Sequence, residues 1–108
     1  MTAELARLPG AERPTARQVL CAISAASGVP LQDLLRYRGP PSAWAPRKIA
    51  MLISLEHGRT HSLTLIGRYM GGKDRTTVRH NIACARRLLS QRKWRELHAR
   101  TLARLGVA

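Results

Sequence analysis

The sequence predicts an all-α domain of five to six helices, and three observations lead there. The 108 residues contain two Trp, two Tyr and no Phe, so the core must be built mainly from Leu, Ile, Val, Met and Ala, a set that suits helices better than a sheet. Apolar residues recur three and four apart along successive stretches. Capping residues, glycines and prolines punctuate those stretches at their ends.

Residues 1–14 close on Gly10-Ala11-Glu12-Arg13-Pro14 and read as a flexible leader, with one loose helical turn around Leu5 and Leu8. Thr15 is a good N-cap for a helix with Val19, Leu20, Ile23 and Ala26 on one side, and Gly28 ends it. Pro30 suits the start of a short helix from Leu31 to about Tyr37, with Leu31, Leu34 and Leu35 inward. Gly39-Pro40-Pro41-Ser42 then forces a loop. A third helix starts near Ala45-Pro46-Arg47, and Ile49, Leu52, Ile53 and Leu55 make it broad enough to be buried on more than one side. Gly58 stops it. Ser62 caps a short helix through Leu63, Ile66, Tyr69 and Met70. Asp74 caps a longer one to about Ser90, with Val78, Ile82 and Ala85 facing the core. Residues 91–108 form a last amphipathic helix, packed on the 15–90 domain through Trp94, Leu97, Thr101, Leu102 and Leu105. A partner-binding role for that helix is the lesser reading.

Lys and Arg number 19 against 6 Asp and Glu, a net charge of +13. Such a surplus favours a polyanionic partner through counterion release and steering. A basic protein from an Arg-rich proteome is the plainer explanation of charge alone. The distribution adds to the case: residues 57–108 hold twelve of the cations against only Asp74 and Glu96. Cys21 and Cys84 are expected to be small buried hydrophobes rather than a disulfide or metal pair. His57 and His61 are four apart, but Gly58 breaks the helix between them, so no metal pair is expected. His98, beside arginines, reads as solvated. No nucleophile–base pair or carboxylate cluster appears, so neither an enzyme nor a cofactor is expected. Without a membrane-length apolar run or a signal-peptide pattern, the expected location is cytoplasmic, on the nucleoid.

The stretch from Ser62 to Ser90 reads short helix, Gly71-Gly72 turn, longer helix, which is helix-turn-helix grammar. Gly67-Arg68-Tyr69-Met70-Gly71-Gly72-Lys73 also imitates a phosphate loop, but Asp74 stands where Ser or Thr must hold magnesium. In a major groove, Asp74 can accept from cytosine N4 or adenine N6, Arg75 can donate to guanine or to a phosphate, and the Thr76 methyl can meet that of thymine. Lys73, Thr77, Arg79 and His80 suit phosphates. The competing reading is structural: Asp74 only caps the helix, and Thr76 and Thr77 are ordinary first-turn residues.

Gly71-Gly72-Lys73-Asp74-Arg75-Thr76-Thr77-Val78-Arg79-His80 closely resembles the signature of the C-terminal DNA-binding domain (domain IV) of the bacterial replication initiator DnaA. Ala45-Pro46-Arg47-Lys48-Ile49-Ala50-Met51, Ser62-Leu63 with Ile66-Gly67, and Gly28-Val29 with Leu31, Asp33, Leu34 and Leu35 look like other segments of that family, in its order and spacing over about residues 15–90. The resemblance implies a Trp-repressor-like helix-turn-helix that binds a short DNA box as a monomer, with the signature helix in the major groove and a basic loop reaching the minor groove. Carried over by position, Asp74, Thr76, Thr77 and His80 match DNA-contacting residues, and Arg47 matches a basic residue at the start of the third helix. Arg68, Arg38 and Ser62 complete the expected DNA-binding set.

Four departures stand out. Arg75 replaces the family's usual base-reading histidine, and Lys73 replaces an arginine, keeping charge but losing the planar fork. The loop before the third helix has Gly39-Pro40-Pro41-Ser42-Ala43-Trp44 in place of arginines, and Trp44 has no counterpart; packing on the domain is its plainest role. The ATPase domain is absent from the 108 residues, so a stand-alone binder of DnaA-box-like sites, regulating replication initiation or transcription, is expected. Two alternatives stay open: a module docking on the full-length replication initiator or another replication factor, and a nonspecific nucleoid or RNA binder.

Overall fold

The computed structural model describes residues 13–36 and 38–107. Six α-helices and one 3-10 turn supply the regular structure among them, with no strand. The helices are α1 (Ala16–Ser27), α2 (Leu31–Leu35), α3 (Trp44–His57), α4 (Leu63–Tyr69), α5 (Arg75–Leu88) and α6 (Arg92–Leu105); the 3-10 turn is Pro41–Ala43. The helical turn expected around Leu5 and Leu8 and the second helix's expected end at Tyr37 lie outside the described residues. No described helix is long and apolar enough to cross a membrane.

The helix ends follow from local chemistry. The Thr15 hydroxyl accepts from the Gln18 amide while the Gln18 side chain accepts from the Thr15 amide, so two otherwise orphaned donors are satisfied together. Ser62 and Asp74 cap α4 and α5 by the one-way form of this bond, their side chains accepting from the amides of Leu65 and Thr77. α2 is shorter than expected, because Arg36 already turns extended. The stretch read as plain loop contains the 3-10 turn, which runs directly into α3.

α3 is the central post. The six residues from Ile49 to Ser54 are all buried, more than one full turn, so the helix is enclosed on every side at that level. It packs most extensively against α5, and also against α1 and α6. α5 contributes Val78, Ile82 and Ala85, α1 contributes Val19, Leu20 and Ile23, and α4 contributes Ile66 to one continuous core. α6 lies mainly across α1, burying Leu97 and Thr101, with Trp94, Leu102 and Leu105 at the margin.

Three side chains differ from expectation. Cys21 is exposed and Cys84 only half-buried, because each points away from its helix's core-facing side. His98 is half-buried rather than freely solvated. It lies in the apolar stripe of α6, its Nε2 is fully buried with no hydrogen-bond partner among the described residues, and burial pulls its pKa down; Glu56 opposes that pull and His57 adds to it.

The sign of the consequence follows from linkage. Folding lowers the His98 pKa, so the unfolded chain protonates first as pH drops below the ordinary histidine value of about 6.5. Its contribution to stability is complete above that value and is lost as pH falls toward the lowered folded value. Thermal melts across this window should show Tm falling with acidification, and His98→Leu should flatten the profile. An unchanged slope in the variant would show that His98 is not the source of the pH dependence.

Candidate nucleic-acid interface

The site is built where α4, the glycine turn and the head of α5 meet the head of α3. Gly67 is buried in α4, and a β-carbon there would overlap the Lys73 carbonyl oxygen and press on Val78. The Lys73 amide donates to the Gly67 carbonyl at 2.9 Å, closing the turn against the helix. Gly71 and Gly72 carry the chain round with φ of 93° and 72°, values that cost side-chain-bearing residues dearly. This sharp return delivers Asp74 to the N-terminus of α5.

The Asp74 carboxylate accepts the Thr77 amide at 2.7 Å, and that bond holds its pKa below the ordinary carboxylate range. A carboxylate has about four lone-pair sites, so the cap leaves acceptor capacity facing solvent. Arg75, Thr76, Thr77, Arg79 and His80 are all exposed on the first turns of α5. Helical spacing sets Thr76 and His80 one turn apart on the outermost ridge, Arg75 and Arg79 along one flank, and Thr77 with Asn81 along the other. Behind them Val78 and Ile82 fix the helix to the core. His80 Nε2 also lies 3.5 Å from Cys84 Sγ, which receives Arg87 Nη2 at 3.2 Å.

Opposite the Thr77 flank is a cleft of ≈ 480 Å³ lined by Arg38, Trp44, Arg47, Lys48, Gly72, Lys73, Asp74, Thr77 and Asn81. Arg47 organises its far wall. It is only 5% exposed. Its Nε donates to the Leu34 carbonyl at 2.7 Å, its Nη2 to Asp33 at 2.9 Å, and both terminal nitrogens to Arg38 at 3.3 Å. Trp44 Nε1 donates to that same Arg38 carbonyl at 3.0 Å. The loop after α2 is thereby pinned to the first turn of α3. Burial lowers the Arg47 pKa, and burial together with the Arg47 charge lowers that of Lys73.

Of the residues singled out in the sequence, Arg38, Arg47, Lys73, Asp74 and Thr77 come together at this cleft. Arg75, Thr76, Arg79 and His80 extend from it along α5. Arg68 is exposed on α4, and Ser62 is exposed at the head of that helix, where its hydroxyl serves as the cap. Arg47 is placed as a clamp on backbone carbonyls rather than as an exposed cation. Sequence reasoning missed Lys48 and Asn81 as cleft residues and left Trp44 without a site. Trp44 and Lys48 are four apart, so their shared helix face was a usable signal.

Residues 16–84 match the family described as the bacterial dnaA protein helix-turn-helix. The chain belongs to that family. As a member of the bacterial dnaA helix-turn-helix family it is a DNA-binding protein, and the matched span runs from the first residue of α1 into α5, leaving α6 beyond it. No curated protein matches the chain. The glycine turn, the Asp74 cap and the exposed ridge of α5 are the helix-turn-helix elements of the match; the cleft beside them holds Trp44, the residue for which the sequence offered no counterpart.

Arg47→Ala should strip donors from three carbonyls and lower stability by about 1–3 kcal/mol, read from urea midpoints. Arg47→Lys should recover part of that loss, since one ammonium cannot span the same acceptors as a planar fork. Midpoints equal to wild type in both variants would show that Arg47 does not clamp the loop.

Proposed function

We propose that this chain binds DnaA-box-like duplex DNA as a monomer, with α5 in the major groove, and thereby regulates replication initiation or transcription on the nucleoid. The observation that carries the reading is the two-sided character of α5. Val78, Asn81, Ile82 and Ala85 anchor one face, while Asp74, Arg75, Thr76, Thr77, Arg79 and His80 stand exposed on the rest. A helix held this way presents its N-terminal residues in a fixed orientation, as groove reading requires.

In this reading Arg75, Thr76 and the remaining acceptor sites of Asp74 contact base edges. Lys73, Thr77, Arg79, His80 and Arg68 hold phosphates and fix the register, with Ser62 at the backbone near α4. Arg47 contributes by holding the loop that carries Arg38, whose exposed side chain reaches the flanking backbone. The excess of +13 outweighs the local repulsion between Asp74 and phosphate. Regulation would follow from sharing or contesting sites with the full-length replication initiator.

A titration at fixed salt should show a DnaA-box duplex preferred over a permuted duplex and over single-stranded DNA. Arg75→Ala should cost about 1–3 kcal/mol on the box and less on the permuted duplex. Equal losses on both would reduce Arg75 to a phosphate contact, and equal affinity of wild type for both duplexes would overturn sequence-specific reading.

A further inference from the structure

We propose that the cleft between the heads of α3 and α5 seats one sugar–phosphate unit of the bound duplex, with the ring face of Trp44 against the sugar and Lys48 and Arg38 on the phosphate. This rests on the reading of α5 as the groove-entering helix, and it adds a contact that helix does not make itself.

Four observations converge on it. Trp44 is 49% exposed and lies outside the core cluster, an unusual state for a large apolar ring. Its one polar atom, Nε1, is already committed to the Arg38 carbonyl, so what remains to offer is the apolar ring face. Such a surface suits the carbon skeleton of a sugar or the plane of a base. The cations around it point to the rest of the ligand: Arg38 and Lys48 line the same cleft, and neither is ion-paired to a carboxylate among the described residues.

The cleft also continues the α5 surface, because Lys73 and Thr77 line it as well. A strand whose phosphate meets Thr77 at the edge of the groove runs next across the opening between Lys48 and Trp44. The volume of ≈ 480 Å³ lies within the range of about 300–1,000 Å³ in which proteins hold small ligands, so one sugar–phosphate unit fits with water to spare. The Trp44–Arg38 hydrogen bond and the Arg47 clamp hold the ring and the loop in place before DNA arrives, so little ordering is left for binding.

The test uses the full chain, a DnaA-box duplex and a permuted duplex. In a Trp94→Phe background Trp44 is the sole tryptophan, and its emission should change on duplex addition with the same midpoint as DNA anisotropy. Trp44→Ala should weaken duplex binding on the order of tenfold while leaving the salt slope unchanged. Lys48→Gln should lower the slope of log K against log salt by about 0.9, the signature of one lost phosphate. Trp44→Phe, which keeps a ring and loses the N–H, should retain most of the affinity. Urea midpoints report whether each variant remains folded, and the Trp44 emission reads the contact with the ring intact.

Silent Trp44 emission while anisotropy reports binding would overturn the seat and leave the α5 reading standing. A fall in salt slope with Trp44→Ala would show that the ring only steadies Arg38, and would overturn the sugar contact. Absence of any duplex binding by the parent chain would overturn the α5 reading and the seat together.

Discussion

The guanidinium of Arg47 is the constraint on which the cleft beside α5 depends. A buried cation is costly unless its donors are used, and here they converge on the carbonyls of Asp33, Leu34 and Arg38. Those oxygens are the unsatisfied end of α2 and the start of the loop after it. One side chain on α3 therefore does what a longer α2 would have done for itself, and the helix can stop at Leu35. The same bond set fixes where Arg38 leaves the loop and where Trp44 stands. Arg47 thereby joins α2, the loop and α3 through one side chain.

The second consequence is electrostatic. The Arg47 charge is neutralised by dipoles rather than by a carboxylate, so it is still felt at Lys73, whose pKa it helps to depress. Two cations in a half-buried cleft repel one another, and an arriving anion relieves that repulsion. Asp74 opposes this field locally, but its charge is tied to the Thr77 amide and the N-terminal end of α5, where a negative group is favourable. The carboxylate thus serves the helix and still has lone pairs facing solvent.

Most of the fold was legible because it is written locally. Thr15, Gly28, Ser62, Gly71-Gly72 and Asp74 each act within a few residues of themselves, and the structure uses them as caps and turns. The apolar rows of α1, α3 and α5 are likewise local patterns. The errors share one cause: residue type was weighed above helical position. Cys21 follows Leu20 by about 100° of rotation and faces outward although cysteine favours the interior. His98 lies between Leu97 and Thr101 in the inward stripe of α6, and position, not polarity, decided its burial. The site residues on α5 were visible as a surface. Lys48 and Asn81 were not, because the cleft is formed by two helices that the chain brings together across some thirty residues.

Arg47 was legible as a basic residue but not as a clamp, and the reason bears on how the loop works. A loop rich in arginine reaches DNA with its own side chains. This loop has two prolines and a glycine instead, so it offers little charge and little freedom. Its rigidity comes from Pro40 and Pro41 leading into the 3-10 turn, and its position comes from Arg47 and Trp44 holding a shared carbonyl. The loop and the head of α3 set a flat ring and two cations, Arg38 and Lys48, around one cleft beside α5. The loop and Trp44 therefore act together: what the loop lacks in charge it supplies as a preset surface.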